Sequence, residues 1–105
     1  MPVKAGVIRA GARNTRQGAA ETFTGVVFQD PVITAESPSR LGGSVVTFTP
    51  GARTAWHSDT MHWHGASPDR LFSHLALSEA GEQGQGTAWG THVSDAEYNE
   101  AASGG

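Results

Sequence analysis

The chain has 105 residues, 37% of them hydrophobic, with 14 glycines and 5 prolines, which suits one turn-rich domain with a small core. A net charge of -3 argues against general affinity for nucleic acid or membrane surfaces. No cysteine is present, so disulfides and thiolate-held zinc are excluded and any metal must take nitrogen and oxygen ligands. No stretch has transmembrane length and the N-terminus lacks the apolar run of a signal peptide, so a cytoplasmic protein is expected.

Residues 1–22 read as an N-terminal arm. It carries Val7 and Ile8, then Arg9, Arg13 and Arg16 spaced for a basic face, either a solvated arm or an anion site, and it has the character to pair with a partner chain. Residues 23–28 look like a strand that Asp30 and Pro31 break, and residues 32–34 are a second short strand. Residues 43–49, rich in β-branched side chains, form the clearest strand and end at the turn signal Pro50-Gly51. Residues 53–57 and 62–66 alternate as strands should. Residues 70–78 give a longer strand with Leu71, Ser73, Leu75 and Leu77 on one face and Phe72, His74 and Ala76 on the other. Residues 79–91, around Gly81, Gly84, Gly86 and Gly90, read as a flexible connector. Ser94 and Glu97 fit a capping box, which predicts a helix from Asp95 to about Ala101. The domain layout is thus an arm over 1–22, an antiparallel β-barrel or sandwich over 23–78 and a connector with a short helix over 79–105.

Three of the five histidines, His57, His62 and His64, fall within eight residues of this β-rich region. Alternation along a strand puts His62 and His64 on the same side. If residues 58–61 form a hairpin loop, His57 and His62 close it from opposite strands, with Cβ atoms about 4.5–5.5 Å apart. That spacing lets two imidazoles share one ion, and imidazole is the commonest protein metal ligand. Trp56 and Trp63 point away from the histidines by the same alternation, toward a packing layer or a dimer interface.

The run from Val46 to His57, with Gly51 six positions before the histidine, resembles the first conserved motif of small single-domain cupins. The run from His62 to Pro68 resembles the end of the second motif, and the tail from Trp89 to Tyr98 is similar to the C-terminus of cupins related to the carboxymuconolactone decarboxylase group. The resemblance spans about residues 20–100. It implies an all-β, antiparallel jelly-roll barrel with a short C-terminal helix. It also implies a metal centre with His57 and His62 as ligands. The chain departs from the pattern in one place. Asp59 stands where a second histidine belongs, and the usual Glu or Gln ligand and the opening of the second motif are absent. A strand needs about 5–6 residues, so the interval between His57 and His62 cannot hold the missing pieces. The junction after Ser58 therefore reads as a stretch that the numbering passes over, as a true deletion, or as a gap that a partner chain fills. The first is the preferred reading, and under it the hairpin does not exist.

Nitrogen and oxygen ligands in an open site suit Fe(II), Mn(II), Ni(II), Cu(II) or Zn(II). His64 and His74 are the candidates for proton transfer, with pocket lining for His64 and a satisfied core position for His74 as the alternatives. His92 reads as structural or exposed, Asp59 as a turn residue, and Arg53 and Arg70 as solvated or as holders of a substrate carboxylate. No nucleophile elbow or dinucleotide fingerprint occurs. The expected function is a metal-dependent cupin enzyme, of oxygenase, isomerase or decarboxylase type, acting on a small oxygen-rich or carboxylated molecule. The alternatives are a non-catalytic metal-binding or ligand-binding module and a remnant fold without its site. A homodimer is the expected assembly.

Overall fold

The structure, a computed structural model, describes residues 14–83 and 86–104. Val7, Ile8, Arg9, Arg13 and Gly84 lie outside the described residues. Two antiparallel sheets face each other. One has four strands in the order β1 (Arg16–Gln17), β3 (Val27–Ile33), β4 (Leu41–Phe48) and β6 (Phe72–Glu79). The other pairs β2 (Phe23–Thr24) with β5 (Arg53–Thr54). Helix α1 (Asp95–Ser103) follows. Among the described residues no helix is long and apolar enough to cross a membrane.

The strand over 43–49 and the longer one over 70–78 are present as β4 and β6, in unbroken register from Leu41 opposite Glu79 to Phe48 opposite Phe72. Other expectations are corrected. The stretch 23–28 is split, because Gly25 takes a left-handed φ of 81° between β2 and β3. Asp30 and Pro31 do not end the strand. β3 runs through them to Ile33, with a register shift between Pro31 and Ile33. Proline is tolerated there because β1 covers β3 only at Phe28 and Gln29, so no ladder partner is denied an N–H on that side.

The strands expected over 53–57 and 62–66 shrink to β5 and to isolated bridges at His57–His62 and Arg53–Gly65. The segment is too short for a ladder, but its chains still cross closely. A Cβ on Gly65 would sit 2.8 Å from the Trp63 ring and 2.9 Å from Cβ of Arg53, so glycine is required. The turn at Pro50-Gly51 forms as expected, with Gly51 at φ 82° and the Ala52 N–H donating to the Thr49 carbonyl. The connector is not loose throughout. The Trp56 N–H donates to the Thr91 carbonyl, the Gly90 N–H donates to the Trp56 carbonyl, and the Ser58 N–H donates to the Ala88 carbonyl, which ties the strap 88–91 down.

Phe23, Val27, Val46, Phe48, Ala52 and Ala66 form the core between the sheets. The helix starts at the predicted capping box, with Ser94 and Glu97 each bonding the other's backbone N–H. Ser94's backbone and hydroxyl hydrogen bonds, with a further one from Trp56, hold the Glu97 carboxyl below its usual range. Tyr98 docks the helix by donating its hydroxyl to the Ala66 carbonyl at 2.6 Å, and Trp63 packs against its ring.

Arg53 is not solvated and does not wait for a substrate. It is 6% exposed. Its guanidinium donates twice to the Val93 carbonyl and once to Asp95, and lies over the Tyr98 ring. Only an arginine fork makes these bonds together. Replacing it with Met leaves the Val93 carbonyl without its donors. We expect Arg53→Met to lose about 2 kcal/mol in urea denaturation. Asp95→Asn, on an exposed carboxylate, should cost clearly less.

Candidate metal centre

The hairpin allowed by the sequence forms. The His57 N–H donates to the His62 carbonyl at 3.0 Å, the His62 N–H returns the bond at 3.2 Å, and residues 58–61 make the loop. Closing so short a loop puts Ser58 at φ 73°, a left-handed conformation that a non-glycine residue adopts at a cost of order 1 kcal/mol.

This pairing sets the imidazoles side by side. Ring centres lie 4.3 Å apart for His57–His62, 5.4 Å for His57–His64 and 5.2 Å for His62–His64. One nitrogen from each of the three lies within 4.8 Å of the others. His57 is buried, His64 half-buried and His62 nearest to solvent. His74 reaches the group from β6, its ring 4.9 Å from that of His64 and flanked by Phe48 and Phe72. It is half-buried and faces the cleft rather than lying in the core.

The ring protons are fixed by backbone. Nδ1–H of His57 donates to the Ala55 carbonyl at 3.0 Å, and Nδ1–H of His62 donates to the Thr60 carbonyl at 2.7 Å. A carbonyl only accepts, so each proton sits on Nδ1 and each neutral ring keeps its Nε2 lone pair. That is the usual outer support of metal-bound histidine. Three nitrogens bound to one tetrahedral ion at about 2.0–2.1 Å lie roughly 3.4 Å from one another, so drawing the trio onto an ion takes a contraction on the order of 1 Å. The residues fit a divalent transition metal. His64, a candidate for proton transfer, pocket lining or ligation, lies within the group that could hold an ion. His74 stays outside it.

The histidines line a cleft of about 740 Å³ open to solvent, with Phe23, Phe48 and Trp89 among its walls. Trp89 belongs to the strap 88–91, and its ring lies 4.8 Å from that of His57. Sequence reasoning missed it as a site residue, because glycines on both sides made the segment look unstructured. Asp59 is an exposed turn residue outside the cluster, Arg70 is exposed, and His92 lies near the Thr24 hydroxyl.

The chain is 32% identical to an (R)-mandelonitrile lyase of Granulicella tundricola over 126 aligned positions, covering 86% of this chain and 95% of that protein. The crystal structure of a cupin-like protein from Thermotoga maritima MSB8 matches the fold with a TM-score of 0.76 and 25% identity, covering 85% of this chain and 94% of that one. This chain belongs to the cupin family. No family model matches it. The 126 aligned positions exceed the 105 residues present, so the lyase carries positions with no counterpart in this cupin.

Burial holds His64 below the ordinary imidazole pKa, with His74, then His57 and His62, adding charge repulsion. Burial does the same for His74, helped by His57. Both bind a proton less readily folded than unfolded. Stability is therefore complete above the ordinary value of 6.5 and falls as pH drops from there toward the lowered folded values. We expect the urea midpoint of metal-free protein to decline between about pH 7 and pH 5. The decline should be shallower in a His64→Gln/His74→Gln variant. An equal slope would contradict this assignment.

Proposed function

We propose that this cupin is a metal-dependent lyase cleaving small cyanohydrins, R–CH(OH)–CN, into an aldehyde and hydrogen cyanide. The observation that carries the reading is the pair of Nδ1–H bonds to the Ala55 and Thr60 carbonyls, which leave two Nε2 lone pairs beside the third imidazole of His64. The choice of reaction rests on the similarity to the Granulicella tundricola (R)-mandelonitrile lyase. A divalent transition ion held by His57, His62 and His64 supplies Lewis acidity toward a substrate oxygen.

The other residues of the cleft divide the remaining work. His74 is kept neutral by its surroundings and no hydrogen bond among the described residues occupies its ring nitrogens. Its unprotonated nitrogen accepts the hydroxyl proton as the carbonyl forms. The bond to the nitrile carbon breaks, its electron pair leaves with cyanide, and the His74 proton is returned to give hydrogen cyanide. Phe23, Phe48 and Trp89 offer an apolar wall for the R group and favour an aryl over a charged substituent.

Oxygenase or isomerase chemistry is the less supported form of the same centre. A non-catalytic metal-binding module is the second reading. It draws on the cluster itself, which among the described residues holds three histidines and no carboxylate.

The test pairs metal analysis with turnover. Protein supplied with Mn, Fe, Ni, Cu or Zn should retain one ion per chain, and His57→Ala/His62→Ala should retain none. Aldehyde release from mandelonitrile should follow metal content. His74→Ala should keep its metal and lose about 10²–10⁴-fold in rate. Stoichiometric metal without aldehyde release from any cyanohydrin would favour the binding module.

A further inference from the structure

Register runs one straight row of side chains across the four-stranded sheet. Arg16 lies opposite Gln29, Gln29 opposite Val46, and Val46 opposite His74. Directly paired residues of antiparallel strands share a face of the sheet, and all four line the histidine cleft. Three strand steps of about 4.8 Å set the Cα atoms of Arg16 and His74 about 14 Å apart. In order, the row offers a cation, an amide, an apolar side chain and an imidazole. Arg16, readable from the sequence as part of a solvated arm or of an anion site, thus stands at one end of the cleft. Its strand β1 is short but fixed. The Gly18 N–H donates to the Val27 carbonyl at 2.7 Å, and the Phe23 ring fills the space a Cβ on Gly18 would need.

The protein supplies this guanidinium with no counter-ion. Of the 10 acidic residues in the chain, none lines the cleft. Asp30, next to Gln29, points to the opposite face by strand alternation, and there it accepts the Thr15 hydroxyl. Arg40 and Arg53 each hold a carboxylate, whereas Arg16 makes no ion pair among the described residues. Residues 1–13 contain no Asp or Glu to provide one. The Gln29 amide likewise has no side-chain hydrogen bond among the described residues. A chain of net charge -3 therefore keeps an acid-free cleft with an unneutralised cation at its end. A guanidinium is a planar fork that meets a carboxylate in two parallel hydrogen bonds.

We infer that Arg16, with the Gln29 amide beside it, binds the carboxylate of an aryl carboxylate whose other end reaches the histidines. The ring lies along Val46 and the wall of Phe23, Phe48 and Trp89. The charge sits at the end remote from His74. A substituent charged next to the reacting carbon would meet the apolar wall instead, so the cleft selects the position of the charge. The substrate this names rests on the lyase reading: a mandelonitrile with a carboxylate para to the carbinol. The anion subsite itself rests on binding alone.

Isothermal titration calorimetry tests the subsite with para-(hydroxymethyl)benzoate and its neutral counterpart para-(hydroxymethyl)benzamide, on metal-free and on zinc-supplied protein. The wild type should bind the carboxylate about tenfold tighter than the amide in both states. Arg16→Gln should abolish that difference and leave the amide's affinity, metal uptake and circular dichroism unchanged. Arg16→Lys should keep part of it. The preference should also shrink as salt rises from about 0.01 M to about 1 M, which a purely structural role for Arg16 would not produce. The salt series on the wild type decides the matter should Arg16→Gln fail to fold. Equal binding of acid and amide, binding of neither, a preference indifferent to salt, or one that survives Arg16→Gln would overturn the inference. A preference confined to zinc-supplied protein would overturn it too, by assigning the carboxylate to the metal. Turnover is read separately: a persistent preference without aldehyde release from any cyanohydrin would refute the reaction and support the subsite.

Discussion

The pair of backbone hydrogen bonds between His57 and His62 is the constraint on which the site depends. Two residues facing each other across an antiparallel bridge have Cβ atoms within about 5.5 Å, so a loop of four residues suffices to bring two imidazoles into contact. Alternation then carries His64 to the same side. The strap at 88–91 secures the hairpin from the other flank, and Arg53 secures the strap's continuation to the helix. The histidine cluster is held mainly by backbone and by one buried guanidinium rather than by a large core.

That economy has consequences for the whole chain. The core between the sheets contains two phenylalanines, two valines and two alanines. Larger apolar side chains such as Leu75, Leu77 and Leu71 remain on the surface. The cleft is correspondingly wide, and Trp89 stands at the histidines half-covered rather than sealed in. The Granulicella tundricola lyase carries aligned positions with no counterpart among these residues.

Electrostatics and hydrogen bonding act together in the histidine cluster. Burial weighs against a charge on His64 and on His74, and repulsion between neighbouring imidazoles adds to it. Neutral rings are the form that ligates metal and accepts protons. The carbonyls of Ala55 and Thr60 add direction, since they select the tautomer and fix which nitrogen is left to act.

Much was legible in the residues alone. The strands β4 and β6 were readable because β-branched runs and strict alternation are local properties, and the helix because its capping box is complete within four residues. The shared side of His62 and His64 follows from the period of a strand, and the cupin resemblance from Gly51, His57 and the run after His62. Other features required the folded chain. Pro31 reads as a breaker until its neighbour β1 is seen to stop short of it. Arg53 reads as solvated until Val93, forty residues later, supplies the acceptor that makes its burial favourable. Trp89 looks like part of a loose connector until the Trp56 backbone fixes the strap beside it, and His74 joins the cluster only because β6 pairs with β4. Patterns of two to four residues are set by backbone geometry and survive in the sequence. Contacts across forty residues depend on which surfaces fold against each other, and that is decided only in three dimensions.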